Sequence, residues 1–108
     1  MAIITKKTLS PSILNDAWLG DSILTYFERK NILKCRGVRV NGRKSSNKNL
    51  KKAILSNIEI QEKFKNHKFP FSSALDAECM GTMLEALIYR EFRINQNNAI
   101  RIILIILK

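Results

Sequence analysis

Two carboxylates in this sequence stand where a negative charge needs a partner. At about 100° per residue, Asp21 shares one helix face with mainly apolar neighbours. That face carries Leu14, Ala17, Trp18, Asp21, Leu24 and Thr25. Glu85 lies on a similar stripe, which carries Glu78, Gly81, Thr82, Glu85, Ile88, Tyr89 and Phe92. Because an unpaired charge among apolar side chains is costly, we expect each carboxylate to bind a divalent cation or a buried polar partner.

A glycine accompanies each of these carboxylates inside a predicted helix. Gly20 and Gly81 each cost a helix about 1 kcal/mol relative to alanine, so each position calls for a packing reason. The missing side chains would let two helix backbones approach closely and bring Asp21 and Glu85 together. Two facing carboxylates suit Mg²⁺ or Mn²⁺. A buried ion pair or a hydrogen-bonded carboxylate is the alternative.

The remaining ionisable residues of interest have other expected roles. Asp16 lies about 140° around the helix from Asp21 and is expected to face water. Asp76 falls on the side opposite Glu85 and is expected to cap the start of its helix. His67 is the only histidine, which excludes a zinc site built on several histidines.

The spacing of apolar residues predicts an all-α protein, in keeping with only four glycines and two prolines. Ser10 followed by Pro11 predicts a helix start, and the pattern continues to about Leu33. A second helix is predicted from near Asn47. A short helical piece is predicted from about Ile60 to Phe64.

The C-terminal part of the chain predicts two further helices. The spacing Ser73-x-x-Asp76 resembles a capping box and predicts a long helix from there to about Arg93. The polar run Asn95–Asn98 predicts a break, and the apolar segment Ala99–Leu107 predicts a last helix that is buried or pairs with a partner. With no repeat and no linker, residues 1–108 are expected to form one domain.

The cysteines and the apolar segments indicate in which cellular compartment the protein is expected. Cys35 and Cys79 belong to no metal-binding or disulfide pattern and are expected to be free thiols. We expect no secretory signal in Met1–Leu9, and Ala99–Leu107 is too short to span a membrane. These features favour the cytoplasm or an organelle of similar chemistry.

The balance of charge predicts an acidic partner. Nineteen Lys and Arg residues against nine Asp and Glu residues give a formal net charge of +10. No acidic residue occurs between Glu28 and Glu59, where ten basic residues occur, and such a run suits contact with nucleic-acid phosphates. The candidate RNA-binding residues are Arg36, Arg39, Arg43, Lys44, Lys48, Lys51 and Lys52. A solvated basic surface in a lysine-rich protein is the alternative.

Two segments resemble the motifs of the ribonuclease III family. Trp18-Leu19-Gly20-Asp21-Ser22-Ile23-Leu24 is similar to the family signature, an aromatic-Leu-Gly-Asp run on a central helix. Met83-Leu84-Glu85-Ala86-Leu87-Ile88 resembles the second motif, which lies on a facing helix. With the helices between them, the resemblance covers Leu14 to Phe92. It implies a ribonuclease III-like helical endonuclease domain of the small Mini-ribonuclease III type, without a double-stranded-RNA-binding domain.

The resemblance also implies roles for particular residues. Asp21 and Glu85 overlay on family carboxylates that bind magnesium and help to activate the water that attacks phosphate. Three further positions that carry carboxylates in full-length members are occupied here by Leu14, Ala17 and Thr82. Mini-ribonuclease III proteins also look to have an alanine and a threonine at two of these positions.

These departures leave two functional readings open. One is a Mg²⁺- or Mn²⁺-dependent endoribonuclease that cleaves double-stranded RNA, for example in ribosomal RNA processing, with Glu78 or Glu28 as candidate substitutes for the missing ligands. The other is a catalytically silent RNA-binding or ribosome-associated protein. The resemblance implies a homodimer, and the apolar first helix and Ala99–Leu107 favour one independently. A DNA-binding repressor is less favoured because no helix-turn-helix spacing is evident.

Overall fold

The computed structural model describes residues 4–38 and 46–107, and all regular structure in these two ranges is helical. A 3₁₀ turn at Lys6–Thr8 precedes five α-helices. These are α1 (Pro11–Arg36), α2 (Asn47–Leu55), α3 (Ile58–Asn66), α4 (Ala77–Ile94) and α5 (Gln96–Leu107). The predicted all-α class is confirmed for the described part of the chain.

Helix α1 has a side-chain cap at its N-terminus and a glycine cap at its C-terminus. The Ser10 side chain accepts a hydrogen bond from the backbone N–H of Ile13 at 3.2 Å, and Pro11 occupies the first turn. The helix continues past Leu33, where the pattern predicted its end, to Arg36. Gly37 stops it in a left-handed conformation, with φ of 71°, and donates its N–H to the Leu33 carbonyl at 2.8 Å.

Two predicted boundaries in the C-terminal half are wrong, and a side-chain cap explains each. Helix α4 does not begin at Ser73, because Asp76 is its N-cap and accepts from the Cys79 backbone N–H at 2.7 Å. The predicted break over residues 95–98 shrinks to Asn95. The side chain of Asn95 accepts from the backbone N–H of Asn97 at 2.9 Å, so α5 begins directly afterwards at Gln96.

Helix α4 is the centre of the molecule, and α1, α2 and α5 pack around it. The close approach of Gly20 to Glu85 and the ion pair between Asp16 and Arg90 show that α1 and α4 run antiparallel. Helix α5 turns one apolar face inward, including Ala99, and leaves Leu104 exposed.

The core also contains a cluster of aromatic side chains, and the two cysteines differ in burial. Phe64 and Phe69 are buried, and Phe71 packs against them as a partly buried aromatic. Cys35 is an exposed free thiol and Cys79 a buried one. Within residues 4–38 and 46–107, no helix combines the length and the apolarity needed to cross a bilayer.

Candidate functional site

The two carboxylates identified in the sequence line one open cleft of about 370 Å³. Its walls come from the 3₁₀ turn, the middle of α1, the start of α2 and the middle of α4. The lining residues are Lys6, Leu14, Ala17, Trp18, Asp21, Ser46, Asn47, Thr82 and Glu85. The expectation that α1 and α4 bring Asp21 and Glu85 to the same place is therefore met.

Glu85 reaches this cleft from the most buried helix of the protein. Between Cys79 and Ile88, Glu85 is the only residue that is not buried. Its neighbours Leu84 and Ala86 have no exposed surface. The cleft is thus an opening in the packing around α4, and a carboxylate stands at that opening.

Asp21 lies at the edge of the α1 packing stripe rather than within it. The stripe that faces the core carries Ile13, Ala17, Gly20, Leu24 and Glu28. Asp21 is half-buried, while Trp18 is 78% exposed. The predicted apolar face was thus centred too close to Trp18, because hydropathy alone does not show which side of a largely apolar helix meets α4.

Gly20 permits the close approach of α1 and α4, as predicted. A Cβ atom at Gly20 would overlap the Glu85 carbonyl oxygen and lie 2.6 Å from the Glu85 carbonyl carbon. Since these are backbone atoms of a buried helix, they have little room to move. The glycine therefore sets the depth at which Glu85 sits beside α1.

Gly81 has a different neighbour from the one predicted. A Cβ atom there would overlap the side-chain oxygen of Asn47 and lie 3.0 Å from its Cγ. The prediction that Gly81 admits the backbone of α1 is therefore wrong, because the first residue of α2 fills the space. The sequence signal, an unexplained mid-helix glycine, was correct, but its partner is set by the packing of α2 on α4.

The cleft also holds the three positions at which the family pattern predicts further carboxylates. Leu14 and Ala17 contribute apolar wall, and Thr82 contributes a hydroxyl that donates to the Glu78 carbonyl at 2.9 Å. The candidate substitutes lie elsewhere. Glu78 is largely exposed and pairs with Lys6 at 3.8 Å, and Glu28 is buried on α1 without lining the cleft.

The donors around the cleft have the chemistry that a hard divalent cation requires. The lining offers carboxylate oxygens from Asp21 and Glu85 and neutral oxygens from Ser46 and Thr82, which are the ligand types of Mg²⁺ and Mn²⁺. Both carboxylates also interact with groups of the chain itself, with which a cation would compete. Within the described residues, no three His, Cys, Asp or Glu side chains are grouped to hold a metal ion, so only a two-carboxylate site is available.

Comparisons of the chain with protein-family models, with curated protein sequences and with solved structures found no match. A function is therefore inferred from the cleft and the two motifs. Lys6, Ser46 and Asn47 were not identified as site residues from the sequence. Their place in the cleft depends on how the N-terminal segment and α2 dock onto α4, for which no local pattern gives a signal.

The predicted RNA-binding residues fall into three groups. Arg36 on α1 and Lys48 and Lys52 on α2 are exposed and available to a partner. Lys51 is half-buried and donates to the Leu75 carbonyl at 3.0 Å, which ties α2 to the segment before α4. Three lie outside the described residues, namely Arg39, Arg43 and Lys44.

Asp16 was predicted to face water, and this prediction is wrong because Asp16 pairs with Arg90. Its carboxylate accepts from the Arg90 Nε at 2.7 Å, and the same guanidinium donates to the Ser12 hydroxyl at 3.1 Å. The Arg90 guanidinium also lies 4.6 Å from the centre of the Phe69 ring. Asp16 thus joins α1 to α4 next to Ala17 of the cleft wall, and its carboxylate has a structural partner.

Proposed function

We propose that this protein is a magnesium-dependent endoribonuclease that cleaves double-stranded RNA, in the manner of the ribonuclease III family that its motifs resemble. The supporting observation is that five family positions line one cleft. Two of them hold carboxylates, Asp21 and Glu85, and the other three are Leu14, Ala17 and Thr82. Residues so far apart in sequence meet because α1 and α4 pack closely at Gly20, an arrangement that is in keeping with the resemblance.

The side chains of the cleft can divide the work of phosphodiester hydrolysis. Asp21 and Glu85 would hold Mg²⁺ or Mn²⁺, which when bound supplies positive charge at the phosphate and lowers the pKa of a water molecule. Lys6 lines the same cleft, and its ammonium group, which lies 3.8 Å from exposed Glu78, would attract an anionic phosphate to it. Both carboxylates are half-buried, so part of each side chain remains accessible from solvent.

The charge of the protein suits duplex RNA as the substrate. Exposed Arg36, Lys48 and Lys52 belong to the basic segment, and the whole chain carries a formal net charge of +10. Such a surface contacts phosphates and 2′-hydroxyls and reads little sequence, because the major groove of A-form RNA is deep and narrow. Maturation of a structured RNA such as ribosomal RNA, in the cytoplasm or an organelle, is a role consistent with this chemistry.

Substitution of the two carboxylates tests the proposed activity. Purified protein is incubated with end-labelled duplex RNA in Mg²⁺, Mn²⁺ or EDTA. We expect cleavage only with a divalent cation, and we expect Asp21→Asn and Glu85→Gln each to reduce the rate at least about 100-fold, because each removes half of the anionic ligand charge. Circular dichroism of each variant checks that the helices are retained.

Glu62→Gln is the matched control for these variants. Glu62 is exposed on α3 and does not line the cleft, yet its substitution changes the net charge as the site variants do. It should cleave at the wild-type rate. Cleavage that persists in Asp21→Asn and Glu85→Gln, or that is equally strong in EDTA, would contradict the proposal.

A second candidate function is favoured by the same cleft. Leu14, Ala17 and Thr82 leave it with two carboxylates where the family pattern has more, which favours a catalytically silent RNA-binding or ribosome-associated protein. That protein would bind duplex RNA with a steep dependence on salt concentration and leave it intact in both cations. The incubation described above therefore separates the two functions.

A homodimer belongs to the proposed function, since each of two sites would cut one strand. Helix α1 provides a surface for it. Trp18, Tyr26 and Leu33 are 78%, 59% and 50% exposed and lie within about 80° of one another around the helix. An exposed stripe of large apolar side chains is typical of a protein interface.

A further inference from the structure

Asn47 occupies a special place in the cleft. It is the first residue of α2, and its side chain lies against α4 at Gly81, one helical turn before Glu85. It is exposed, and it lines the cleft together with Asp21, Glu85 and Lys6. An amide is thus held next to two carboxylates and an ammonium group.

Gly81 forms a notch that holds this amide. The Asn47 side-chain oxygen occupies the space in which a residue with a Cβ would place that atom, and Asn47 Cγ and Cβ would lie 3.0 and 3.4 Å from it. A longer side chain at position 81 would push the amide out of the notch. Glycine in the middle of a helix lowers the stability of that helix. At Gly81 this cost is not explained by packing against α1, because the residue that faces Gly81 is Asn47 of α2.

The orientation of the amide determines which atom can meet a ligand. The three Asn47 atoms nearest to a Cβ at position 81 are Oδ1, Cγ and Cβ, so the NH₂ group, which carries two N–H donors, lies farther from Gly81 than the oxygen does. Donors are what a phosphate needs, since each of its non-bridging oxygens accepts hydrogen bonds only. Among the described side chains that line the cleft, the other nitrogen donors are the Lys6 ammonium and the Trp18 indole.

We infer that Asn47 is a substrate-positioning residue, which donates an amide N–H to a non-bridging oxygen of the RNA phosphodiester and is aimed by the notch at Gly81. This inference rests on the proposed function, because it assigns a residue to the same cleft. It divides the cleft into an acidic part at Asp21 and Glu85 and a donor part at Asn47 and Lys6. No covalent step is assigned to Asn47.

The first test measures binding without cleavage. Fluorescence anisotropy of a labelled RNA duplex is recorded in EDTA and again in Ca²⁺ for the wild type, Asn47→Ala and Asn47→Asp. We expect Asn47→Ala to weaken binding about tenfold, the value of one hydrogen bond to a charged group. Asn47→Asp should weaken it further, because a third carboxylate in the cleft repels phosphate.

Asn66 supplies the matched controls. It is exposed at the end of α3 and does not line the cleft. Asn66→Ala and Asn66→Asp repeat the same changes in size and net charge at that position, and both should bind as the wild type does. Any loss shared with Asn66→Asp measures the general charge effect and is subtracted from the result for Asn47→Asp.

The second test acts on Asn47 through Gly81. Gly81→Ala should reproduce the binding loss of Asn47→Ala while its melting temperature stays level or rises, because the displaced atoms end a flexible side chain and alanine favours the helix. The double variant should bind no more weakly than Asn47→Ala alone, since both changes remove one interaction. If the double variant loses the sum of the two single losses in binding free energy, Gly81 does not act through Asn47 and this part of the inference is overturned.

The outcomes separate this inference from the proposed function. Wild-type protein that cleaves duplex RNA while Asn47→Ala binds within about twofold of it overturns the inference alone. Tighter binding by Asn47→Asp in Ca²⁺ also overturns it, because that result marks a cation ligand. Wild-type protein that neither binds nor cleaves duplex RNA overturns both.

Discussion

At the scale of single residues, the least expected feature is a buried carboxylate on α4. Glu91 is 5% exposed, accepts a hydrogen bond from the Lys63 ammonium and lies 3.2 Å from Nε2 of His67. Burial by itself would raise the pKa of Glu91. The hydrogen bonds and charges of Lys63 and His67 together outweigh burial and hold that pKa below its ordinary value. Three ionisable groups thus fasten α3 and its C-terminal turn to α4.

This cluster makes stability depend on pH through Glu91. Because the folded-state pKa is lowered, the stabilisation is complete above the unfolded-state pKa and is lost as pH falls through the folded-state value. We expect Glu91→Gln to lose about 2 kcal/mol of unfolding free energy at pH 7. The deficit relative to wild type should shrink as pH falls from 5 towards 3.

Urea titrations across that pH range measure the effect, with Glu62→Gln as the exposed control. A wild-type advantage over Glu91→Gln that stays constant down to pH 3 would show that the charge of Glu91 does not contribute. The same experiment leaves the cleft intact, because Glu91 lies outside its lining.

At the scale of helices, the two mid-helix glycines differ in what faces them. Gly20 meets backbone atoms of Glu85, and Gly81 meets the end of the Asn47 side chain. The backbone of a central helix moves only if α1 moves away from it, whereas a side-chain amide can turn aside. Glycine at position 20 is therefore required for the packing of α1 on α4, and glycine at position 81 is required for the position of the Asn47 side chain in the cleft.

Alanine substitutions should separate these two requirements. Gly20→Ala forces α1 from α4 and should lower the unfolding free energy by about 3 kcal/mol, at the upper end of the usual cost of overpacking. Gly81→Ala, the same change in the facing helix, should cost nothing. Equal urea midpoints for the two variants would contradict the contact geometry, and the wild type provides the reference.

At the scale of the whole molecule, a long helix carries the exposed apolar side chains. Helix α1 has 26 residues, and the described residues extend over 49 × 26 × 25 Å. Its outer stripe, Trp18, Tyr26 and Leu33, extends over about four turns. A two-fold interface along this stripe would bury it and place the two clefts on a single assembly.

Removal of the largest side chain of the stripe tests the proposed dimer. The wild type should have a mass about twice that of the 12.4 kDa chain by light scattering, and Trp18→Ser should shift it towards the monomer by at least about tenfold in dissociation constant. Ile58→Ser is the control, since Ile58 is 72% exposed on α3, away from the stripe. A wild-type monomer at all concentrations would exclude the dimer.

Much of the fold followed from local patterns along the chain. The start of α1 at Ser10 and Pro11, the capping role of Asp76 and the all-helical class depend on hydrogen bonds and periodicities within a few residues. In the C-terminal half, the wrong helix boundaries lay at Ser73 and at residues 95–98, where several polar residues compete to cap one helix. Which of them succeeds depends on where the preceding segment is anchored, as Leu75 is by its burial.

The sequence by itself determined the helices, the two carboxylates and the need for close packing at Gly20, because helix periodicity and side-chain chemistry are local properties. Only the tertiary structure decided that Asn47, Ser46 and Lys6 join Asp21 and Glu85, and that Asp16 pairs with Arg90 instead of water. Their neighbours come from distant parts of the chain. The docking of α2 and the N-terminal turn onto α4 is driven by burial of apolar area. Because this driving force is non-directional, no local sequence pattern identifies which residues will become neighbours.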